Sequence, residues 1–171
     1  PAATPAAAAA AAKPATTPAA AEPKPAATAA ATPYFDKGTG TLTIYSQKLL
    51  DPSKWDGTIK SKTRKILCDD DVKNIPEECF VGFNALERFV GKNVETINES
   101  AFSECVKLET VELGETNISE NVFFRCSNLI TVTGSIKTVG AGAFSECTDL
   151  NLIDLSQVPV IGARAFEKCT S

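Results

Sequence analysis

The sequence predicts an α/β solenoid, a right-handed superhelix with short parallel strands, preceded by a disordered Ala/Pro-rich segment. Three observations predict it. First, residues 1–33 contain 18 Ala, 7 Pro and 5 Thr, so they offer almost no apolar surface for a core. Second, from Ile75 onward the sequence copies itself. The units read Ile75-Pro-Glu-Glu-Cys-Phe80, Ile97-Asn-Glu-Ser-Ala-Phe102, Ile118-Ser-Glu-Asn-Val-Phe123, Val139-Gly-Ala-Gly-Ala-Phe144 and Ile161-Gly-Ala-Arg-Ala-Phe166, and their phenylalanines are 22, 21, 21 and 22 residues apart. Third, further columns keep the same register. Three residues after each Phe come Phe83, Cys105, Cys126, Cys147 and Cys169; then Leu86, Leu108, Leu129 and Leu150; then Phe89, Val111, Val132 and Ile153.

Taken in order, the first segment is a linker. Prolines at 14, 18, 23, 25 and 33 stop any helix and favour extended polyproline II, while the alanine run at 6–12 is too short to be helical alone. It reads as a spacer or as a Thr-glycosylated stalk, and it lacks the basic start and Leu-rich stretch of a secretory signal. Residues 34–64 form the N-terminal capping segment. The run Asp36-Lys-Gly-Thr-Gly40 reads as a turn, and Leu42 and Ile44 alternate with Thr41, Thr43 and Tyr45 as a strand would.

Residues 65–171 hold about five repeat units, the last one truncated. A period in the low twenties with spaced Leu and Val is the signature of a leucine-rich-repeat solenoid. Successive turns lie about 4.8 Å apart, so each core residue touches its own copies, and several turns must stack before the core is dry. In Leu108-Glu-Thr-Val-Glu-Leu113, Val111 faces in while Thr110 and Glu112 face out. Residues 97–105 are expected to form the opposite wall as a helical turn or 3₁₀ piece around Ala101 and Phe102. No C-terminal cap follows Cys169 and the chain has no Met, which reads as a piece of a longer array.

Composition excludes several kinds of chemistry. With no His there is no Ser-His-Asp or Cys-His pair and no imidazole ligand. The net charge of −4 argues against nucleic acid, and no apolar run reaches the roughly 18 residues of a membrane span. The six cysteines do not suggest a disulfide scaffold. Cys105, Cys126, Cys147 and Cys169 share one inward column with parallel side-chain vectors, which suits the disulfide dihedral poorly, so they are expected to be buried thiols. No two cysteines are closer than 11 positions, against the close pairs of zinc sites. Asp69-Asp70-Asp71 reads as a solvated loop. No cofactor or metal is expected, and the scattered acids give no carboxylate pair for an enzyme. Asn98-Glu-Ser100 and Asn117-Ile-Ser119 match the N-glycosylation sequon.

The pattern I-G-x-x-A-F-x-x-C-x-x-L-x-x-V-x-L, as in Val139 through Leu155, resembles the BspA-type leucine-rich repeat, also called the Treponema pallidum type. It departs at Phe83 and Cys79 in the first unit and at Gly134 in the third. Upstream, Gly40 through Ile44, Trp55, Ile59 and Ile66 are similar to that family's lead-in. The resemblance implies a surface protein of host-associated bacteria or parasitic protists, acting as an adhesin or surface antigen toward host proteins such as fibronectin and fibrinogen. The solenoid points the same way, since its outward sheet positions vary freely over a constant core. The candidate protein-binding residues are Arg88, Val90, Thr110, Glu112, Thr131, Thr133, Leu152 and Asp154. The expected partner is thus a protein ligand, with extracellular-matrix or plasma proteins as the implied class, at the cell surface. An intracellular leucine-rich-repeat scaffold in the cytoplasm is the alternative reading.

Overall fold

Alternating apolar residues in six short segments pair side by side into one parallel ladder, and the chain coils to bring them together. The structure is a computed structural model that describes residues 32–171. The linker expected at residues 1–33 therefore lies almost wholly outside the described residues.

The strands are β1 (Tyr34–Asp36), β2 (Thr41–Ile44), β3 (Lys65–Cys68), β4 (Asn74–Ile75), β5 (Arg88–Gly91), β6 (Thr96–Ile97), β7 (Thr110–Ile118), β8 (Thr131–Val139) and β9 (Leu152–Ile153). β2, β3, β5, β7, β8 and β9 make the first parallel ladder. Its inward row runs Leu42, Ile66, Phe89, Val111, Val132 and Ile153, all buried except half-buried Ile153. A second parallel ladder joins β4, β6 and the C-terminal halves of β7 and β8, and a bridge carries it to Ile161. Its inward row is Ile75, Ile97, Ile118, Val139 and Ile161. Because β7 and β8 are nine residues long and serve both ladders, the two merge into a single sheet that curls around the core.

The third wall departs from the sequence expectation. Residues 97–105 form no α- or 3₁₀-helix but a run of turns, in which the amides of Ala101, Ser103 and Cys105 donate three residues back at 3.0–3.3 Å; among the described residues the only α-helix is α1 (Gly57–Lys62), within the capping segment. Two residues before each Phe the backbone is left-handed, at Glu78, Ser100, Asn121, Gly142 and Arg164, with φ between 53° and 61°. Two residues after each Phe it is left-handed again, at Gly82, Glu104, Arg125, Glu146 and Lys168, with φ of 60–70°. Left-handed residues at this spacing turn successive amides toward one side. In the first four coils the amides of both left-handed residues and of the Phe between them donate to carbonyls of the next coil, at 2.8–3.1 Å. A helical turn would direct those donors back into its own coil. Here the inter-coil bonds win because they satisfy a buried backbone that must stack on its copies.

The aromatic column is continuous. Ring centroids of Phe80, Phe102, Phe123, Phe144 and Phe166 follow each other at 5.2, 5.5, 5.3 and 5.3 Å. Trp55 heads the stack, 5.9 Å from Phe80, and packs edge-on against Phe83 at 6.3 Å. Each such contact adds about 0.5–1.5 kcal/mol beyond the area it buries. The rest of the N-terminal segment closes the end of the sheet. β1 pairs antiparallel with β2, and the turn between them is held by Asp36, whose carboxylate accepts from the Gly38 amide and the Thr39 hydroxyl at 2.8 Å each.

One parameter varies from coil to coil. From second-ladder residue to Phe is always five positions, and from Phe to the next first-ladder residue always nine. The corner between the two ladders spans 9, 8, 7, 7 and 8 positions in coils one to five, counted from Ile66, Phe89, Val111, Val132 and Ile153. The longer corners close a turn, with the amides of Val72, Val94 and Val158 donating to Asp69, Gly91 and Leu155 at 3.0, 3.1 and 3.0 Å. The two short ones run straight through as β7 and β8, with register shifts. Gly114 allows this, since a Cβ there would lie 2.0 Å from the Lys92 carbonyl oxygen. Gly134 stands where Leu113 and Leu155 stand in other units because its φ is +129° and a Cβ would meet the Leu113 carbonyl at 2.5 Å.

Candidate functional site

Side chains that alternate outward along the first ladder stand in two rows, one residue per coil. The register sets Arg88, Thr110, Thr131 and Leu152 side by side in one row, and Val90, Glu112 and Thr133 in the other. Seven of the eight candidate residues thus share one face. The eighth, Asp154, lies past the end of β9. Its carboxylate accepts from the Ser156 amide at 2.9 Å, which lowers its pKa and holds it in the corner turn.

The face is a mixed surface. The Arg88 guanidinium is bonded to the Glu112 carboxylate across adjacent strands. Thr110 and Thr131 are half-buried, and Leu152 is 58% exposed. Two members escaped the sequence reading. Lys65 pairs with Arg88 and Leu67 with Val90, which extends both rows onto β3. Their own alternation (out, in, out, in over Lys65-Ile66-Leu67-Cys68) was the available signal. Tyr34, 55% exposed, stands beside Thr43 at the N-terminal edge.

The cysteine column lies inside. Cys105, Cys126, Cys147 and Cys169 are free thiols. Each S–H donates to the carbonyl of the Phe one coil earlier, at 3.2, 3.1, 3.1 and 3.1 Å. Burial pushes the Cys105 and Cys147 thiols up to about 12 and raises Cys126 as well, helped by its two neighbours in the column. Such groups stay protonated and are poor nucleophiles. Among the described residues no group of three or more His, Cys, Asp or Glu is placed to hold a metal ion. No described helix is long and apolar enough to cross a membrane.

Both sequon asparagines are engaged in the second ladder. Asn98 Nδ2 donates to the Ile75 carbonyl at 2.7 Å, and Asn117 Nδ2 to the Glu95 carbonyl at 3.2 Å. A glycan on either nitrogen would take the place of a donor proton in that bonded edge.

Comparison with known proteins matches this architecture. A family model described as the BspA type leucine rich repeat region (6 copies) matches residues 59–171. Among the described residues the first ladder has five strands within this range, and β2 adds a sixth upstream of it. No curated protein matches the sequence. Among solved structures, the chain is similar to the leucine rich repeat protein of T. pallidum, with a TM-score of 0.55 and 20% identity over 80% of this chain and 64% of that one. It is also similar to a leucine-rich repeat protein from Eubacterium ventriosum (TM-score 0.59, 24% identity, 65% of this chain, 32% of that one). A third, from Bacteroides ovatus, has a TM-score of 0.54 and 26% identity over 64% of this chain and 36% of that one. The chain therefore spans between a third and two thirds of these proteins.

Proposed function

The chain belongs to the BspA-type leucine-rich-repeat family, whose repeats form protein-interaction modules, and on that premise we propose that it is a non-catalytic binding module that grips a protein through the outward rows of its first ladder. The observation that supports this reading is the separation of labour within each coil. Inward positions are filled by apolar residues, while outward ones, half-buried or exposed, carry Lys, Arg, Thr, Glu, Leu and Val. Mixed polarity with a few apolar spots is the composition of protein interfaces. We infer further that the module acts at the cell surface as an adhesin or surface antigen for host matrix or plasma proteins. In this reading residues 34–64 cap a right-handed array formed by 65–171, and residues 1–33 are a spacer in front of it.

The test is a solid-phase screen against immobilised matrix and plasma proteins, repeated with the double variant Arg88→Glu/Thr131→Lys and with Lys107→Glu on the Phe wall. The sheet-face variant should weaken binding at least tenfold and Lys107→Glu should leave it unchanged. Equal loss from both variants, or from neither, overturns the sheet-face assignment. Biotinylation of intact cells checks location, and labelling confined to lysed cells would favour the intracellular scaffold.

A further inference from the structure

The corners between the two ladders are not alike. The coil-two corner closes a turn at 91–94, while β7 and β8 run straight through the corners of coils three and four. Along these corners lies a depression of about 410 Å³. Its lining comes from Lys73, from Lys92, Asn93 and Glu95, from Glu115 and Asn117, and from Lys137. Four successive coils contribute to it.

The chemistry of this lining differs from that of the sheet face. No apolar side chain lines it, so it lacks the anchor that a protein partner normally buries. It offers ammonium and amide donors together with carboxylate acceptors, the pattern that recognises a polyol. Two of the three lysines are already matched, Lys73 to Glu95 at 3.8 Å and Lys137 to Glu115 at 2.7 Å. Among the described residues Lys92 has no ion-pair partner, so the lining carries three lysines against two glutamates, with the Asp70 carboxylate beside it on Asn93. Its two asparagines are held in place. The Asn93 amide donates to Asp70; Asn117 donates to the Glu95 carbonyl and accepts from the Thr138 hydroxyl at 3.2 Å each. Gly114 passes close to the Lys92 carbonyl, where a Cβ would clash. Preorganised donors and acceptors cost less to order on binding than free ones. The volume falls within the range of small-ligand sites and suits one or two sugar rings.

We propose that this depression is a second binding site, separate from the sheet face, and that it takes an acidic saccharide: ring hydroxyls bond to Glu115, Asn117 and Lys137 while the sugar carboxylate pairs with Lys92.

The test uses the full chain labelled with ¹⁵N and titrated with a glucuronic-acid-containing disaccharide, the corresponding neutral disaccharide, and acetate. The acidic disaccharide should give saturable shifts at the amides of Lys92, Asn117 and Lys137. The neutral sugar and acetate should each bind at least fivefold more weakly. Lys92→Gln should lose at least fivefold in affinity for the acidic sugar with an unchanged spectrum elsewhere, and Arg88→Glu should lose none. Absence of saturable shifts at the three amides overturns the proposal. So does acetate binding as well as the sugar, which would make the depression a simple anion contact, or an undiminished affinity in Lys92→Gln.

Discussion

Cysteine is used here as a short side chain that is apolar yet carries one donor. Each column thiol is buried beside the Phe stack and gives a carbonyl of the preceding coil, which already accepts a backbone amide, a second donor, and neither alanine nor valine would supply that bond. At pH 8 the native protein should leave Cys105, Cys126 and Cys147 unlabelled by a disulfide thiol reagent within minutes, whereas all six cysteines should react after unfolding. Mass spectrometry of the labelled peptides reads the outcome, and prompt native labelling of Cys126 would contradict its burial. The left-handed positions show the opposite economy. Glu, Ser, Asn, Gly and Arg occupy one of these columns, so what repeats is a conformation and no particular side chain.

Among the elements, the Phe wall carries a charge ladder on its outer surface. Glu104 and Glu146 flank Arg125 at 3.4 and 3.2 Å, and Lys168 reaches Glu146 at 2.8 Å. The bond from Lys168, followed by that from Arg125, holds the Glu146 carboxyl below its ordinary value. A carboxyl lowered by folding stabilises the native state above its unfolded pKa of about 4.3 and loses that contribution as pH falls through the folded value. Glu146→Gln should therefore lower the thermal midpoint at pH 7, and the gap to the parent protein should shrink progressively as pH falls below about 4.3. A gap that does not shrink would show that Glu146 acts through packing instead. The ladder is exposed, so the effect at pH 7 is small. Its use is to fix which coil side stands over which.

For the whole molecule, stability is a sum of coils and their interfaces, which makes the first interface the most valuable to protect. Trp55 protects it: only 6% exposed, it covers Phe80 and Phe83 at the head of the aromatic stack. Trp55→Ala should cost about 3–5 kcal/mol and expose the first coil. Its effect should appear in chemical denaturation as loss of the N-terminal coils, read by hydrogen exchange at Ile66, Ile75 and Phe80 before Phe123. Uniform loss of protection along the array would mean that the coils unfold as one unit.

The inward columns were legible in the sequence because stacked coils put each residue against its own copy. Phe on Phe, Leu on Leu and Cys on Cys then leave a visible period. The outward rows followed from strand alternation, which names Thr110 and Glu112 once Val111 is inside. Lys65 and Leu67 were hidden because their coil has Phe83 in place of Cys and no clean unit around it. The conformation of the third wall was hidden for another reason, since a left-handed backbone is chosen by the neighbouring coil's carbonyls and five different residues accept it. By itself the sequence determined the period, the core and the sheet face, since these depend on side-chain pattern alone. The same columns place the difference between 21- and 22-residue spacings in the corner, and only the tertiary structure decided that the short corners run straight through as β7 and β8 while the longer ones close a turn. Corner length matters through which turn lies beside which straight strand, and that juncture, with Lys92 at its edge, exists only when coils are stacked.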